Sequence, residues 1–409
     1  MPKRNLSFLL LLIVAFAGTC QQAFAGSATL EKDTAREATL ITRFKFKQYY
    51  GGVVVISAVI NDVPDTLQFI LDTGSAGISL DTSTCVRLGI KLTPTDRIVK
   101  GLGAAKPVSF AMNRSLKLPG LTVDSLDFHV NDYELISQVY GIQVDGIIGY
   151  SLLSRYIVSV DYDTEEIIIY SKGKFNYPRG GQLLKPSLTQ IPLITAPLRN
   201  NRKTVNNRYY FDTGAGMCLL ISTQFAKDSS LFGNHRKSRK IIQTEAQGLG
   251  GKMQMSLTTI QEFRVGSFSF RNVPTYIFDD LTNVTAYPFL GGMIGNDLLR
   301  RFNITLNYAK KEIYLLPNSH FKDMFDYSYT GLIIYLIDGR VEVTDIIKGS
   351  PAEKAGIRKG DIIMAVNNNL GSNLQLFREL LKNIGSKATL LISRDNDLLI
   401  KKMPIKSIL

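Results

Sequence analysis

The amino-acid sequence predicts a mainly β protein with two duplicated lobes followed by a small α+β domain. An Asp-Thr-Gly triplet occurs at residues 72–74 and again at 212–214, each time after a run of β-forming apolar residues, which suggests a duplicated lobe. The last domain is indicated by alternating strand patterns on both sides of a helical pattern at residues 373–384. A length of 409 residues agrees with several folding units.

A second repeated segment supports the duplication. The sequence VDGIIGYSLLSRYIVSVDYDTEEIIIY begins at Val144, and LGGMIGNDLLRRFNITLNYAKKEIYLL begins at Leu290. Both contain two glycines around an aliphatic pair, then Leu-Leu, a basic residue, an aromatic residue and two strands joined by a turn. Each copy also has a glycine-rich element before this segment, at residues 101–103 and 248–251. Three elements that recur in the same order indicate an internal repeat.

The triplets themselves indicate a chemical site. One triplet alone is typical of a turn that ends a strand. Two triplets in duplicated lobes place one carboxylate on each side of a cleft, where the pair shares a proton and acts as base and acid together. Gly74 and Gly214 allow the backbone to turn sharply after the aspartate, in conformations that a side chain would resist. Their N–H groups are then free to bond a carboxylate.

On these motifs, residues 44–317 resemble a single-chain aspartic peptidase of the retropepsin and pepsin superfamily. The segment Ile294-Gly295-Asn296-Asp297-Leu298-Leu299 is similar to the retropepsin version, and no tyrosine near Gly101 corresponds to the flap tyrosine of the pepsin branch. The resemblance implies that Asp72 and Asp212 form a catalytic dyad. The ionised carboxylate would activate a water, and the protonated one would assist collapse of the tetrahedral intermediate. Neither a metal nor another cofactor is implied.

The resemblance also assigns supporting roles. Thr73 and Thr213 would hydrogen-bond across the lobe interface, beside Gly74 and Gly214. The glycine-rich elements would be flaps that close over a substrate, although glycines at hairpin tips are often only turns. No Gly-Lys-Ser/Thr follows either element, which disfavours a phosphate loop. The residues assigned to the flaps are Gly101, Leu102, Gly103, Gly248, Leu249 and Gly250.

The C-terminal segment GSPAEKAGIRKGDII, which begins at Gly349, resembles the central signature of bacterial PDZ domains. Ser350 is placed to cap a short helix that Pro351 enters. In that family a peptide adds as a strand beside the first strand, with its carboxylate on backbone N–H groups. The resemblance assigns this groove to Gly331, Leu332, Ile333 and Ile334. The alternative is a PDZ fold that only packs on the lobes.

The chain terminus suggests a further hypothesis. Ser407-Ile408-Leu409 resembles a common PDZ ligand, with a hydroxyl residue two positions before an apolar end. Self-association through the tail of another copy is therefore one possibility, and an ordinary tail after the last strand is the other.

The predicted organisation begins with a targeting segment. A basic start, an apolar run and the cleavage-site pattern Ala23-Phe24-Ala25 predict an export signal, and hence a periplasmic or secreted protein. An alternative is lipidation at Cys20, which would anchor the protein to a membrane. The predicted boundaries are 1–25 for the signal peptide, 26–43 for a linker, 44–180 for lobe 1, 181–318 for lobe 2 and 325–407 for the PDZ-like domain.

Charge and cysteine content exclude several functions. The formal net charge is +13, but the cations are scattered, and the short cluster at residues 236–240 is typical of a solvated loop rather than of nucleic-acid binding. Cys85 and Cys218 are expected to be buried thiols rather than a disulfide. The three histidines form no recognisable zinc pattern.

We therefore expect an aspartic-type endopeptidase whose PDZ-like domain recruits the C-termini of substrates or partners. Its partners would be peptides and proteins, without nucleic acid, and with a membrane only after lipidation at Cys20. The alternative is a non-catalytic peptide-binding or scaffold protein that uses the same cleft and groove. Peptide binding without turnover would favour it.

Overall fold

The structure, a computed structural model, describes residues 36–409 except 62, 102–103, 233–239, 249–250, 282, 284, 286 and 326. The predicted signal peptide, its cleavage site and Cys20 lie outside the described residues. So do Leu102, Gly103, Leu249 and Gly250 of the predicted flaps, and most of the basic cluster.

Lobe 1 is a β barrel with three short helices in its described part. Alternating apolar residues form its strands, and Asp81 caps the first helix by accepting a hydrogen bond from the N–H of Thr84. The strands are β1 (Leu40–Lys45), β2 (Lys47–Gln48), β3 (Val54–Ile60), β4 (Leu67–Leu71), β5 (Ile78–Asp81), β6 (Ile98–Gly101), β7 (Ala104–Pro107), β8 (Phe110–Leu118), β9 (Leu121–Asn131), β10 (Gly146–Ile148), β11 (Ile157–Asp161) and β12 (Glu166–Tyr170). The helices are α1 (Thr82–Arg87), α2 (Glu134–Tyr140) and α3 (Tyr150–Leu153).

Lobe 2 repeats this arrangement. Strand β15 shows the expected alternation of buried and more exposed residues, and Ser222 caps the helix that follows β17. The strands are β13 (Gln182–Leu184), β14 (Ser187–Leu188), β15 (Pro192–Asn200), β16 (Lys203–Phe211), β17 (Leu219–Ser222), β18 (Ile242–Gly248), β19 (Gly251–Val265), β20 (Phe268–Phe278), β21 (Gly292–Ile294), β22 (Phe302–Asn307) and β23 (Glu312–Pro317). The helices are α4 (Thr223–Asp228) and α5 (Asn296–Leu299).

The two barrels share seven strands in the same order, and lobe 2 adds β18 at the edge of its sheet. In lobe 1 the order is β2-β3-β4-β10-β5-β9-β8, and β3 also pairs with β8. In lobe 2 the order is β14-β15-β16-β21-β17-β20-β19-β18, and β15 also pairs with β19. The strand before each triplet runs parallel to the aliphatic strand, β4 to β10 and β16 to β21. The internal repeat predicted from the sequence is therefore a repeat of structure.

A six-stranded sheet joins the lobes, in the order β1-β12-β11-β22-β23-β13. Its central pair, β11 and β22, is antiparallel and contributes one strand from each lobe. Strand β1 starts at Leu40, four residues before the predicted beginning of lobe 1 at residue 44. The reason is the pairing of β1 with β12, which the local sequence before residue 44 does not reveal.

The C-terminal domain is a small α+β unit with its own apolar core. Ser350 caps its first helix and Asn373 its second, by accepting hydrogen bonds from N–H groups in the first turn of each helix. The elements are β24 (Leu332–Ile337), β25 (Arg340–Ile346), α6 (Pro351–Lys354), β26 (Ile362–Val366), β27 (Asn369–Leu370), α7 (Leu374–Leu380), β28 (Lys387–Arg394) and β29 (Asp397–Pro404). Among the described residues, no helix combines the length and the apolar character needed to cross a membrane.

Candidate active site

Each aspartate of the two triplets directly follows a central strand of its barrel. Asp72 follows β4, and its backbone N–H donates to the carbonyl oxygen of Ile148 at 2.9 Å. Asp212 follows β16, and its N–H donates to the carbonyl oxygen of Ile294 at 3.0 Å. The aliphatic pairs of the repeated motif therefore hold the start of both triplet loops in place.

The two triplets face each other across the lobe interface. A Cβ atom placed on Gly74 would lie 2.4 Å from Oδ2 of Asp212. A Cβ atom placed on Gly214 would lie 2.3 Å from Cγ of Asp72. Each glycine backbone thus contacts the carboxyl group of the opposite lobe, at a distance that no side chain could share. The two carboxyl groups also hydrogen-bond to each other.

Backbone N–H groups hold both carboxyl groups. The N–H of Gly74 donates to Oδ1 of Asp72 at 2.6 Å. On the other side, the N–H groups of Gly214 and Ala215 donate to Oδ1 of Asp212 at 2.8 and 3.0 Å. These bonds are the ones expected from the sharp turn at each glycine, and they fix the orientation of the two side chains.

The threonines connect the two loops through four buried hydrogen bonds. The hydroxyl of Thr73 donates to the carbonyl of Phe211 at 2.6 Å and accepts from the N–H of Thr213 at 3.0 Å. The hydroxyl of Thr213 donates to the carbonyl of Leu71 at 3.1 Å and accepts from the N–H of Thr73 at 3.1 Å. Because every bond crosses the interface, the lobes cannot shift against each other without breaking this network.

Burial is the main cause of the shifted pKa values of the two carboxyl groups. It raises the pKa of Asp72, and it raises the pKa of Asp212 well above its usual range. The negative charge of Asp72 raises the pKa of Asp212 further, while the hydrogen bond from Asp212 lowers that of Asp72. The geometry therefore favours a shared proton on Asp212 and an ionised Asp72.

Two residues near the pair, Asn296 and Tyr140, were not among the predicted site residues. Asn296 donates to the carbonyl of Gly52 and accepts from the hydroxyl of Tyr162 at 3.0 Å, so it ties the α5 end of lobe 2 to lobe 1. A Cβ atom placed on Gly216 would lie 3.2 Å from the hydroxyl oxygen of Tyr140. Asn296 lies within the retropepsin-like segment that begins at Ile294, so it could have been proposed from the sequence. Tyr140 lies on α2, for which the repeat offers no signal.

The predicted flaps fall on two antiparallel hairpins. Strand β6 pairs with β7, and β18 pairs with β19. Gly101 ends β6 and Gly248 ends β18, immediately before the tips that lie outside the described residues. The role of these hairpins as flaps stays a prediction.

The predicted PDZ groove lies on an edge strand. Gly331 precedes β24 with a left-handed φ of 77°, and a Cβ atom there would lie 2.2 Å from Cβ of Ser350. In the order β24-β25-β26-β28-β29, β24 has one paired side. Leu332, Ile333 and Ile334 line a cavity of about 190 Å³ that extends to lobe 2.

Metal ligands are not gathered anywhere in the described part of the chain, where no group of three His, Cys, Asp or Glu residues could hold an ion. Cys85 and Cys218 are buried free thiols. The thiol of Cys218 donates to Oδ2 of Asp297 at 2.8 Å, so this cysteine supports the loop beyond Asp212 through a polar contact as well as through packing.

Comparison with family models finds the aspartyl protease family at residues 56–152 and 196–298, one match in each lobe. Both lobes belong to the aspartyl protease family. The PDZ-domain model matches residues 342–394, so the C-terminal unit is a PDZ domain. The predicted fold class, mainly β with two such lobes and a PDZ domain, is confirmed.

Among solved structures, the chain is similar to an aspartic proteinase from Irpex lacteus. The identity is 14% and the TM-score 0.43, over 70% of this chain and 99% of that one. No curated protein matches the chain.

Proposed function

We propose that the protein is an aspartic-type endopeptidase with Asp72 and Asp212 as its catalytic dyad. The observation that carries the proposal is the contact of each triplet glycine with the carboxyl group of the opposite lobe. This arrangement holds two hydrogen-bonded carboxyl groups in an environment that favours a single shared proton. Membership of both lobes in the aspartyl protease family supports it.

In the proposed mechanism, the ionised carboxylate of Asp72 takes a proton from a water molecule. The water oxygen attacks the peptide carbonyl carbon, and the proton of Asp212 passes to the carbonyl oxygen. When the tetrahedral intermediate collapses, the proton held by Asp72 passes to the leaving nitrogen, and the C–N bond breaks. The gem-diol returns one proton to Asp212, which restores the starting state.

The test is cleavage of a diverse peptide mixture, followed by mass spectrometry from pH 3 to pH 8. We expect Asp72→Asn and Asp212→Asn to lose cleavage while remaining folded, as judged by circular dichroism. Asp397→Asn is the control. Asp397 is exposed on the PDZ domain, so this variant should cleave peptides like the wild type. Full cleavage by either dyad variant would refute the assignment. A folded wild type without cleavage would favour the non-catalytic peptide-binding alternative.

The pH profile should follow the proton on Asp212. The mechanism needs Asp212 protonated and Asp72 ionised, and burial raises the pKa of both groups. Activity should therefore fall on the alkaline side as Asp212 loses its proton, and on the acidic side as Asp72 gains one. A pH profile that did not fall on both sides of an optimum would contradict this assignment.

The PDZ domain is proposed to bind the C-termini of substrates or partners at β24, an edge strand of its sheet, by the strand addition that PDZ domains use. Export is proposed from the N-terminal sequence alone. Sequencing the N-terminus of the protein purified from its host would test it, with a start at Gly26 expected.

A further inference from the structure

The end of helix α2 of lobe 1 lies in the PDZ peptide groove, between β24 and α7. A guanidinium nitrogen of Arg378 donates to the carbonyl oxygen of Val139 at 2.6 Å, and the amide of Gln375 donates to that of Tyr140 at 2.7 Å. The last carbonyl groups of a helix have no partner within the helix. Two side chains of α7 therefore satisfy the end of a helix that belongs to another domain.

The end of α2 also packs closely against apolar side chains of the PDZ domain. A Cβ atom placed on Gly141, the residue that ends α2, would lie 3.2 Å from Cβ of Leu374 on α7 and 3.7 Å from Cβ of Leu336 on β24. The chain at Gly141 thus contacts both walls of the groove. This part of the groove is occupied by lobe 1.

The docked PDZ domain also reaches the cleft. The guanidinium carbon of Arg378 lies 4.7 Å from the ring centroid of Tyr50, and Nζ of Lys382 lies 5.9 Å from it. Tyr50 adjoins Gly51, where a Cβ atom would lie 2.1 Å from the carbonyl oxygen of Gly216. Gly216 follows the Asp212 triplet by two residues. The PDZ domain is therefore linked through Tyr50 to the loop that follows the Asp212 triplet.

A third contact involves the hairpin of lobe 2 that is predicted to be a flap. Ile242 on β18 and Leu257 on β19 form a buried apolar cluster with Ile347 and Ile408 of the PDZ domain. Ile408 is 2% exposed. The tail of the chain is thus buried within its own molecule, which argues against the hypothesis that it serves as a free ligand for another copy.

The remaining part of the groove is the cavity of about 190 Å³, at the end that would receive a peptide C-terminus. Leu332 and Leu381 line it from the PDZ domain, and Met217 and Tyr276 line it from lobe 2. Lys382 contributes a cationic group at the same place. This lining suits an apolar C-terminal residue with a free carboxylate.

We propose that the PDZ domain is a latch on the cleft that peptides release. A peptide with an apolar C-terminal residue and a free carboxylate competes with the end of α2 for the groove. Its binding detaches the PDZ domain from α2, Tyr50 and the β18–β19 hairpin, and so raises peptidase activity. The effect on activity rests on the proposed function, whereas the release itself does not.

Release of the PDZ domain requires only a modest difference in binding free energy. A ligand shifts an equilibrium between docked and released forms only through its different affinity for the two. In the docked form α2 blocks the strand-pairing part of the groove, so the peptide binds the released form better. Couplings of this kind typically change affinity by about 5- to 150-fold.

The release is tested by hydrogen exchange in the Asp212→Asn variant, which keeps the fold but should not consume the peptide. The probe is a nonapeptide ending in valine with a free carboxylate, and its C-terminal amide is the control. We expect the acid, and not the amide, to increase exchange of the amides of α2 and β18 by at least about tenfold. Binding of the acid without any change in exchange would overturn the proposal.

The second arm is activity. Gln375→Ala removes a bond to lobe 1 while leaving the dyad untouched, and we expect it to raise basal kcat/KM about three- to tenfold, from the net strength of one hydrogen bond. Leu376→Ala is the control, because Leu376 is exposed on the same helix. Equal activities of Gln375→Ala, Leu376→Ala and wild type, without activation by the acid peptide, would overturn the proposal.

A reversible cross-link between α2 and β24 tests whether release of the PDZ domain is required. The 3.7 Å separation at Gly141 and Leu336 suits a disulfide between Gly141→Cys and Leu336→Cys. Because Gly141 has a left-handed φ of 67°, the reduced double variant is the control for the strain of the new side chain. Oxidation should abolish both the exchange response and the activation, and reduction should restore them. Unchanged responses in the oxidised protein would refute the latch. If no variant cleaves any peptide, the peptidase assignment fails, and the exchange measurements still decide the latch.

Discussion

The two lobes share one fold but differ where they meet other parts of the molecule. Around the dyad they are nearly interchangeable: the same turn, the same threonine bonds and the same glycine contacts occur on both sides. Between the last barrel strands they diverge. Lobe 1 carries α2, which enters the PDZ groove, whereas the corresponding stretch of lobe 2 contains no helix among its described residues. Symmetry is kept where the chemistry needs it and lost where the domains dock.

A second difference lies inside the barrels. His129 on β9 pairs with Ser79 on β5, and at the matching place of lobe 2 Tyr276 on β20 pairs with Leu220 on β17. Burial lowers the pKa of His129 to about 4, whereas Tyr276 carries a phenol in place of the imidazole. Lobe 1 therefore contains a buried acid-sensitive group that lobe 2 lacks at this position.

The largest expected effect concerns the symmetric part. Gly74→Ala and Gly214→Ala would each place a methyl group within 2.4 Å of the opposite carboxyl group, so the two aspartates must separate. A displacement of about 1 Å costs roughly 100-fold in rate, and both variants should lose at least that much of kcat/KM in the peptide assay. At Gly77 the nearest atom to a new Cβ is 3.6 Å away, so Gly77→Ala should keep most activity. Loss in only one of the two variants would break the symmetry of the site.

An intermediate effect is expected at the threonines. Thr73→Val leaves the N–H of Thr213 and the carbonyl of Phe211 without their buried partner, and Thr213→Val does the same on the other side. Each should lower the free energy of unfolding by about 2–4 kcal/mol, measured by urea denaturation. Serine keeps the hydroxyl, so the serine variants should lose much less. Markedly unequal losses would show that one lobe carries more of the interface.

The smallest effect tests the difference at His129. Because the folded pKa is depressed, the stability that neutral His129 contributes is present above the unfolded value of about 6.5 and is lost as pH falls towards 4. His129→Tyr, which introduces the lobe 2 residue, should remove about 2 kcal/mol of the stability lost between pH 7 and pH 5. The comparison uses the change between the two pH values, so any packing loss cancels. Identical pH slopes for variant and wild type would contradict the burial of this ring.

Much of the fold followed from repeated motifs, because they are local. The triplets, the aliphatic-Gly segments and the PDZ signature each fall within a few residues, and each determines a turn or a strand end by its own composition. The start of β1 was missed because its pairing with β12 joins residues far apart in the chain. Tyr140 was missed for a similar reason, since the described residues of lobe 2 contain no counterpart of α2 from which its place could be inferred.

The sequence by itself determined the duplication, the pair of candidate catalytic residues and the presence of the last domain. Only the tertiary structure decided how these units meet. It placed each glycine against the carboxyl group of the opposite lobe, buried Ile408 beside the β18–β19 hairpin and put the end of α2 in the PDZ groove. Such contacts depend on how complete domain surfaces fit together, and residue spacing carries no record of that fit.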